Sequence, residues 1–226
     1  MEKQNLKEDI LDKALEMFSE IGFKKTSINK IVQDLGVSKG AFYHYFESKD
    51  ELIRELVNRY VDTVVSFPNE MINHPQLCAM EKLNRLIEAF VTYKTLNVEM
   101  RQKYRGLANK TDNYEIREMI YADIVEKATV PYVKIFEQGI DEGVFDMDYP
   151  KQTAQVWLMS VLSFNSTVSR AVENGQTIDD FEERLRFSEN LLERLTGAKK
   201  GTVKYYEIYK TYLDELGGKL NDDSLE

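Results

Sequence analysis

The stretch Ser38 to Lys49, SKGAFYHYFESK, carries Phe42, Tyr43, His44, Tyr45 and Phe46 in one unbroken run. Adjacent positions on a helix point to different faces, so some of these rings must pack and others must project. Phe46, with Phe42 or Tyr45, is expected to face inward. Tyr43 and His44 are left outside, where a phenol O–H and an imidazole N–H can donate to phosphate oxygens. Lys39 can reach a base edge, for example guanine O6 and N7. Gly40, lacking a side chain, permits close approach. Thr26 or Ser27 at the start of the preceding helix, and Lys49 at the start of the following one, can grip flanking phosphates. This chemistry holds a duplex; it neither makes nor breaks bonds.

Other chemistries find little support. The chain has two histidines, His44 and His74, and one cysteine, Cys78, so no metal site and no disulfide are expected. No Ser-His-Asp spacing, glycine-rich phosphate loop or HExxH occurs. Asp179-Asp180 and Glu182-Glu183 read as a solvated helix start favoured by the macrodipole. Tyr205, Tyr206, Tyr209 and Tyr212 recur at helical spacing and read as the packing stripe of a docking helix. The expectation is a protein that is not an enzyme and needs no cofactor.

The formal net charge of -9 argues against an anionic partner only as an average. From Gly22 to Phe46 four lysines (Lys24, Lys25, Lys30, Lys39) face one acid, Asp34, a local charge of +3 that leaves -12 on the remainder. An acidic body with one basic end suffices, because fields between exposed charges fade over about 8–10 Å at physiological salt. The N-terminus has no apolar signal segment, and the apolar stretch Val156 to Phe164 is far shorter than the roughly 20 residues of a membrane span. A cytoplasmic location, away from membranes, is expected.

The elements that position these residues read as helices throughout. Asn5 to Ile21 has an apolar stripe at Ile10, Leu11, Ala14, Leu15 and Phe18. Two short helices follow, Ser27 to Leu35 and one capped by Ser38, joined by the tight turn Leu35-Gly36-Val37-Ser38. Ile28, Ile31, Val32, Leu35, Val37, Ala41 and Phe46 would hold the three together, which makes a helix-turn-helix. Ser48 to Glu51 reads as a capping box launching a helix from Lys49 to Ile72, bent or ended near Pro68. Longer helices are expected at Met80–Leu96, Asn97–Asn109, Asn113–Glu142 (interrupted or kinked at Pro131), Lys151–Glu173, Ile178–Leu195 behind a Thr177 cap, and Thr202–Leu216, with a frayed polar tail. Val156 to Leu162 is apolar on nearly all sides and needs burial on two faces. A second subunit is the economical cover, joined by the stripe Phe181, Leu185, Ser188, Leu192 and Leu195 in a four-helix interface.

Residues 10 to 53, from ILDKALEMF to ESKDELI, resemble the DNA-binding head of TetR-type transcriptional regulators. Phe18, Gly22, Thr26, Ile31, Gly36-Val37-Ser38, Gly40, Tyr43, Tyr45-Phe46, Lys49 and Leu52 fall in register with it. Val32 and Leu35 depart from the family's usual alanines. The resemblance implies DNA contacts at Thr26, Ser38, Lys39, Tyr43, His44 and Lys49. It also implies an all-α fold: a three-helix head over residues 1–48 and a larger helical ligand-binding and dimerisation bundle over 49–226. The expected function is a homodimeric repressor on a near-palindromic double-stranded DNA operator, released by a small-molecule effector. Tyr104, Tyr121, Trp157, Phe164 and Asn165 mix apolar surface with polar tips and are candidates to line the effector pocket. The rival expectation is a helical ligand-binding or protein-interaction module that reads no operator.

Overall fold

The structure, a computed structural model, describes residues 3–66, 69–96, 98–109, 113–173 and 181–212. Every regular element among them is a helix: α1 (Lys3–Glu20), α2 (Ile28–Asp34), α3 (Lys39–Tyr43), α4 (Lys49–Val64), α5 (Asn69–Ile72), α6 (Ala79–Leu96), α7 (Val98–Asn109), α8 (Tyr114–Asp141), α9 (Pro150–Glu173) and α10 (Glu182–Thr196). Residues 205–212 are also helical. None of the described helices is long and apolar enough to cross a membrane. The all-α class is as expected. The chain forms two compact units, Met1–Val64 with Asn97–Ile124, and Val65–Leu96 with Val125–Glu226. Compactness and role are separate divisions: the units cut at 64/65, 96/97 and 124/125, whereas the expected roles divide at 48/49.

In the first unit, the stripe that makes α1 amphipathic is its buried face, with Ile10, Ala14 and Phe18 wholly enclosed. α4 answers with Leu52, Ile53, Leu56, Val57, Val61 and Val64, the i, i+4 spacing of one helical face. Ser48 Oγ accepts the Glu51 N–H at 3.1 Å, while the Glu51 carboxylate accepts from the Glu47 N–H, one residue earlier than a standard capping box. Outside the apolar seam, Arg59 on α4 forks onto α1, reaching Glu8 at 2.9 Å and Asp12 at 2.8 Å. α7 lies close on α1, because a Cβ on Gly106 would stand 3.3 Å from Ser19 Cβ.

The helix expected from Lys49 to Ile72 is two helices, α4 ending at Val64 and α5 starting at Asn69. Pro68, the expected cause, lies outside the described residues. α8 runs through Pro131 without interruption.

The second unit closes around Leu83, Leu86, Ile135, Phe136, Trp157, Leu185, Leu192 and the tyrosines of 205–212. Two expectations change here. The α10 stripe of Phe181, Leu185, Ser188 and Leu192 is buried in the chain's own core, so it cannot be the face offered to a partner. α10 also begins at Glu182; Thr177 lies outside the described residues, and so do residues 213–226 of the expected last helix and tail. On α9, Trp157, Leu158 and Val161 are buried but Val156 is 51% and Met159 59% exposed, leaving one apolar face uncovered within the chain. Glu193, buried, organises the segment before residue 205 by accepting N–H bonds from Gly201, Thr202 and Val203 on one oxygen.

Gly139 on α8 lies directly under the Phe145 ring, where a Cβ would stand 2.0 Å from Cδ2. That ring is itself held edge-on against Phe136 at 5.7 Å. Gly139→Ala should therefore destabilise the fold by about 1–3 kcal/mol through overpacking. A lower urea midpoint at unchanged m-value is the expected reading, and a wild-type midpoint would show that the ring can yield.

Candidate nucleic-acid interface

The interface is built from two short helices and the turn between them. Ser27 caps α2 by accepting the Lys30 N–H at 3.2 Å. After Leu35 the chain turns at Gly36, whose φ of +66 is the left-handed region that favours glycine. The Val37 N–H then returns to the Val32 carbonyl at 2.9 Å. Ser38 caps α3 in turn, its Oγ accepting the Ala41 N–H at 3.2 Å. These two caps and one turn fix how α3 leaves α2.

The run of rings divides as its spacing requires. Phe42 and Phe46 are buried, 5.6 Å apart, and Tyr43 stands edge-on to Phe42 while 53% exposed. His44 is exposed and packs edge-on to the half-buried Tyr45. Lys39 and Gly40 are also exposed. Nothing inside the fold demands glycine at position 40, since a Cβ would meet only Ser38 Oγ at an ordinary 3.7 Å. Its smallness is therefore of use only on the outward side. Lys24, Lys25, Lys30 and Lys39 are all exposed and form no ion pair among the described residues.

Of the eight residues expected at this surface, Ser27, Ser38, Lys39, Gly40, Tyr43 and His44 lie on it. Two do not fit the expected phosphate role. Thr26 is 1% exposed, and its hydroxyl donates to the Gly22 carbonyl at 2.9 Å. Lys49 is half-buried, and its Nζ donates to the carbonyls of Phe23 at 2.9 Å and Thr26 at 3.0 Å. Burial pushes its ammonium below the usual lysine pKa. The exposed Lys24 and Lys25 were not assigned as contacts from sequence, although the local excess of cations pointed to them.

The five candidates for an effector pocket do not assemble. Tyr104 belongs to the first unit, where it stacks on Tyr60 at 4.3 Å and donates its hydroxyl to the Leu56 carbonyl at 3.0 Å; this is packing. Tyr121 is half-buried in the same unit. Trp157 belongs to the second unit, and the side chains of Phe164 and Asn165 lie outside the described residues. Trp157 does line a narrow apolar slot of ≈ 10 Å³ with Ile87, Phe90, Val91, Tyr132 and Tyr205, and no charged side chain lines it. The indole N–H and the Tyr205 hydroxyl, on two of the lining residues, are buried without a partner in full hydrogen-bond geometry, the Tyr205 hydroxyl interacting with that of Tyr209. Burial pushes Tyr132 up to about 12, an effect that the neighbouring indole N–H partly opposes without reaching hydrogen-bond geometry. Tyr205, read from sequence as packing, both packs and lines the slot; its spacing could show a buried face but not an unfilled one.

Residues 10–56 match the family model described as "Bacterial regulatory proteins, tetR family". An uncharacterised HTH-type transcriptional regulator of Bacillus subtilis, YuxN, is 41% identical over 61 residues, 27% of this chain and 20% of that protein's length. The HTH-type transcriptional repressor KstR2 of Mycobacterium tuberculosis is 26% identical over 144 residues, 62% of this chain and 69% of that protein. Among solved structures, one described as a SmeT–triclosan complex shares the fold with a TM-score of 0.60 at 18% identity, covering 87% of this chain and 93% of that one.

Ser38→Ala should cost about 1 kcal/mol by removing the α3 cap. The loss should appear first as faster hydrogen exchange across α3 with α1 amides unchanged. Unaltered α3 exchange would mean that Phe42 and Phe46 hold the helix alone.

Proposed function

We propose that the chain is a TetR-type transcriptional regulator with a helix-turn-helix head, and that it acts as a homodimeric repressor of a near-palindromic DNA operator, released by a small molecule. The reading rests on one observation above all. α3 buries Phe42 and presents Lys39, Gly40, Tyr43 and His44 outward, a base-contact candidate beside phosphate donors on a face free to enter a major groove. Two such helices about 34–36 Å apart would read successive grooves. The protein would work in the cytoplasm, on DNA.

A partner subunit is supported by the apolar groups the single chain leaves exposed in its second unit, Val156 and Met159 on α9 and Phe187, 65% exposed, on α10. An effector is supported by the slot beside Trp157. Its aromatic walls and lack of charge favour a neutral, largely apolar ring compound, and the indole N–H, buried without an acceptor in full hydrogen-bond geometry, favours one carrying an acceptor atom. At its present size the slot holds about one water, so such a compound must part the rings. A protein of similar fold is described as a SmeT–triclosan complex. Release then requires that the ligand bind the two conformations of the protein unequally.

Mobility-shift titration against DNA from upstream of the gene should show binding that falls steeply with salt. Lys39→Ala should relax discrimination at one base pair by about 1–3 kcal/mol. Binding to no fragment would favour a helical module without an operator, and unchanged discrimination would retire Lys39 as the base contact. Trp157 is the single tryptophan of the chain, so its emission reports the slot directly. A neutral aromatic ketone that alters this emission should also weaken the DNA complex; altered emission with DNA affinity intact would separate the slot from release.

A further inference from the structure

Phe23 lies in the turn between α1 and α2, and three separate parts of the chain hold it. Its ring stands edge-on to Phe18 of α1 at 5.1 Å. From α4, the Lys49 ammonium sits 4.3 Å from the ring centroid and donates to the Phe23 carbonyl at 2.9 Å. On its other side, the Phe23 N–H donates to Asn113 Oδ1 at 3.3 Å. Asn113 stands between α7 and α8, is 1% exposed, and commits its Nδ2 to the Leu107 carbonyl at 2.8 Å. Both groups of one residue's backbone are thus taken by side chains 26 and 90 positions away.

The same turn is closed from within. The Thr26 hydroxyl and the Thr26 N–H both return to the Gly22 carbonyl, and Lys49 takes the Thr26 carbonyl as well. On its outer side the turn carries the exposed Lys24 and Lys25, and it runs directly into Ser27, the cap of α2. α2 in turn packs against α3. Where this turn sits therefore decides where two cations and the recognition helix sit.

The Lys49 ammonium is already engaged before any DNA arrives. Here two of the three N–H donors serve backbone carbonyls and the charge lies over a ring, a charge-assisted clamp. We propose that Lys49 and Asn113 are positioning residues of the DNA-binding head, setting the turn 22–26 through the Phe23 backbone and touching no phosphate themselves. This rests on the DNA-binding reading above.

The test measures the full-length protein on its upstream DNA fragment and on bulk salmon-sperm DNA across a salt series. Lys49→Met removes the charge, and Lys49→Arg keeps it while replacing a compact donor with a planar fork. Both should bind the specific fragment about tenfold more weakly, the scale of one charge-assisted hydrogen bond, with non-specific binding and salt slope unchanged. A phosphate contact would instead lower the Lys49→Met slope by about 0.9, and Lys49→Arg would hold its affinity; either result overturns the proposal. Without DNA, Asn113→Ala should speed hydrogen exchange at the Phe23 amide, and with DNA it should weaken specific binding at an unchanged salt slope. Wild-type exchange and affinity in Asn113→Ala would sink the Asn113 role. If the wild-type protein binds no DNA, the operator reading falls and takes this proposal with it; if it binds and Lys49→Arg binds equally well, only the clamp falls.

Discussion

α3 has five residues, fewer than two turns, and an isolated helix of that length does not form in water, because nucleation costs more than so few hydrogen bonds return. It persists because Phe42 and Phe46 are sunk into the surrounding helices, each ring contributing roughly 2–3 kcal/mol of burial. Ser38 and Gly36 then fix the start and angle of a helix that its neighbours already hold. Stability comes from one side of the helix only, and the residues on the other side are left free to suit a partner. Tyr43, next in sequence to a wholly buried ring, stands in the open for this reason.

The charge distribution serves the same separation. The exposed lysines at 24, 25, 30 and 39 cluster on the two short helices and the turn before them, while the rest of the chain is acidic. Because fields between exposed charges decay over about 8–10 Å, attraction at this end and repulsion elsewhere act on different parts of an approaching polyanion. The net negative charge of the remainder works against adhesion elsewhere, which favours orientations that present this cluster to a duplex.

Much of this was legible in the sequence because it depends on neighbours in the chain. The caps at Ser38 and Ser48 and the inward turn of Phe46 are set by contacts a few residues apart, while the same spacing left Phe42 and Tyr45 as alternatives for the second inward ring. Lys49 and Thr26 escaped the reading because their partners are backbone carbonyls, which carry no signature in side-chain types; in the case of Lys49 they come from a turn more than twenty positions earlier. The stripe on α10 was found correctly as a stripe, but periodicity reveals that a face is apolar and not what it faces. That face met the chain's own core, and the groups left outside, such as Phe187, broke the period and drew no attention. A break near Pro68 was expected, but not that α4 stops as early as Val64, since apolar residues at helical spacing continue beyond it.

The first compact unit is assembled from two separated lengths of chain, and Asn113, Gly106 and Tyr104 all belong to the second of them. A fragment cut after residue 64 would lose the helix that lies on Ser19, the ring that covers Tyr60 and the amide that anchors the Phe23 N–H. Transplanting this head onto another regulator by splicing at a single junction would therefore carry over its outward residues and leave behind part of what keeps them in place. A working chimera needs both lengths, residues 97–124 as well as the N-terminal segment, so that specificity and scaffold are exchanged as one inheritance.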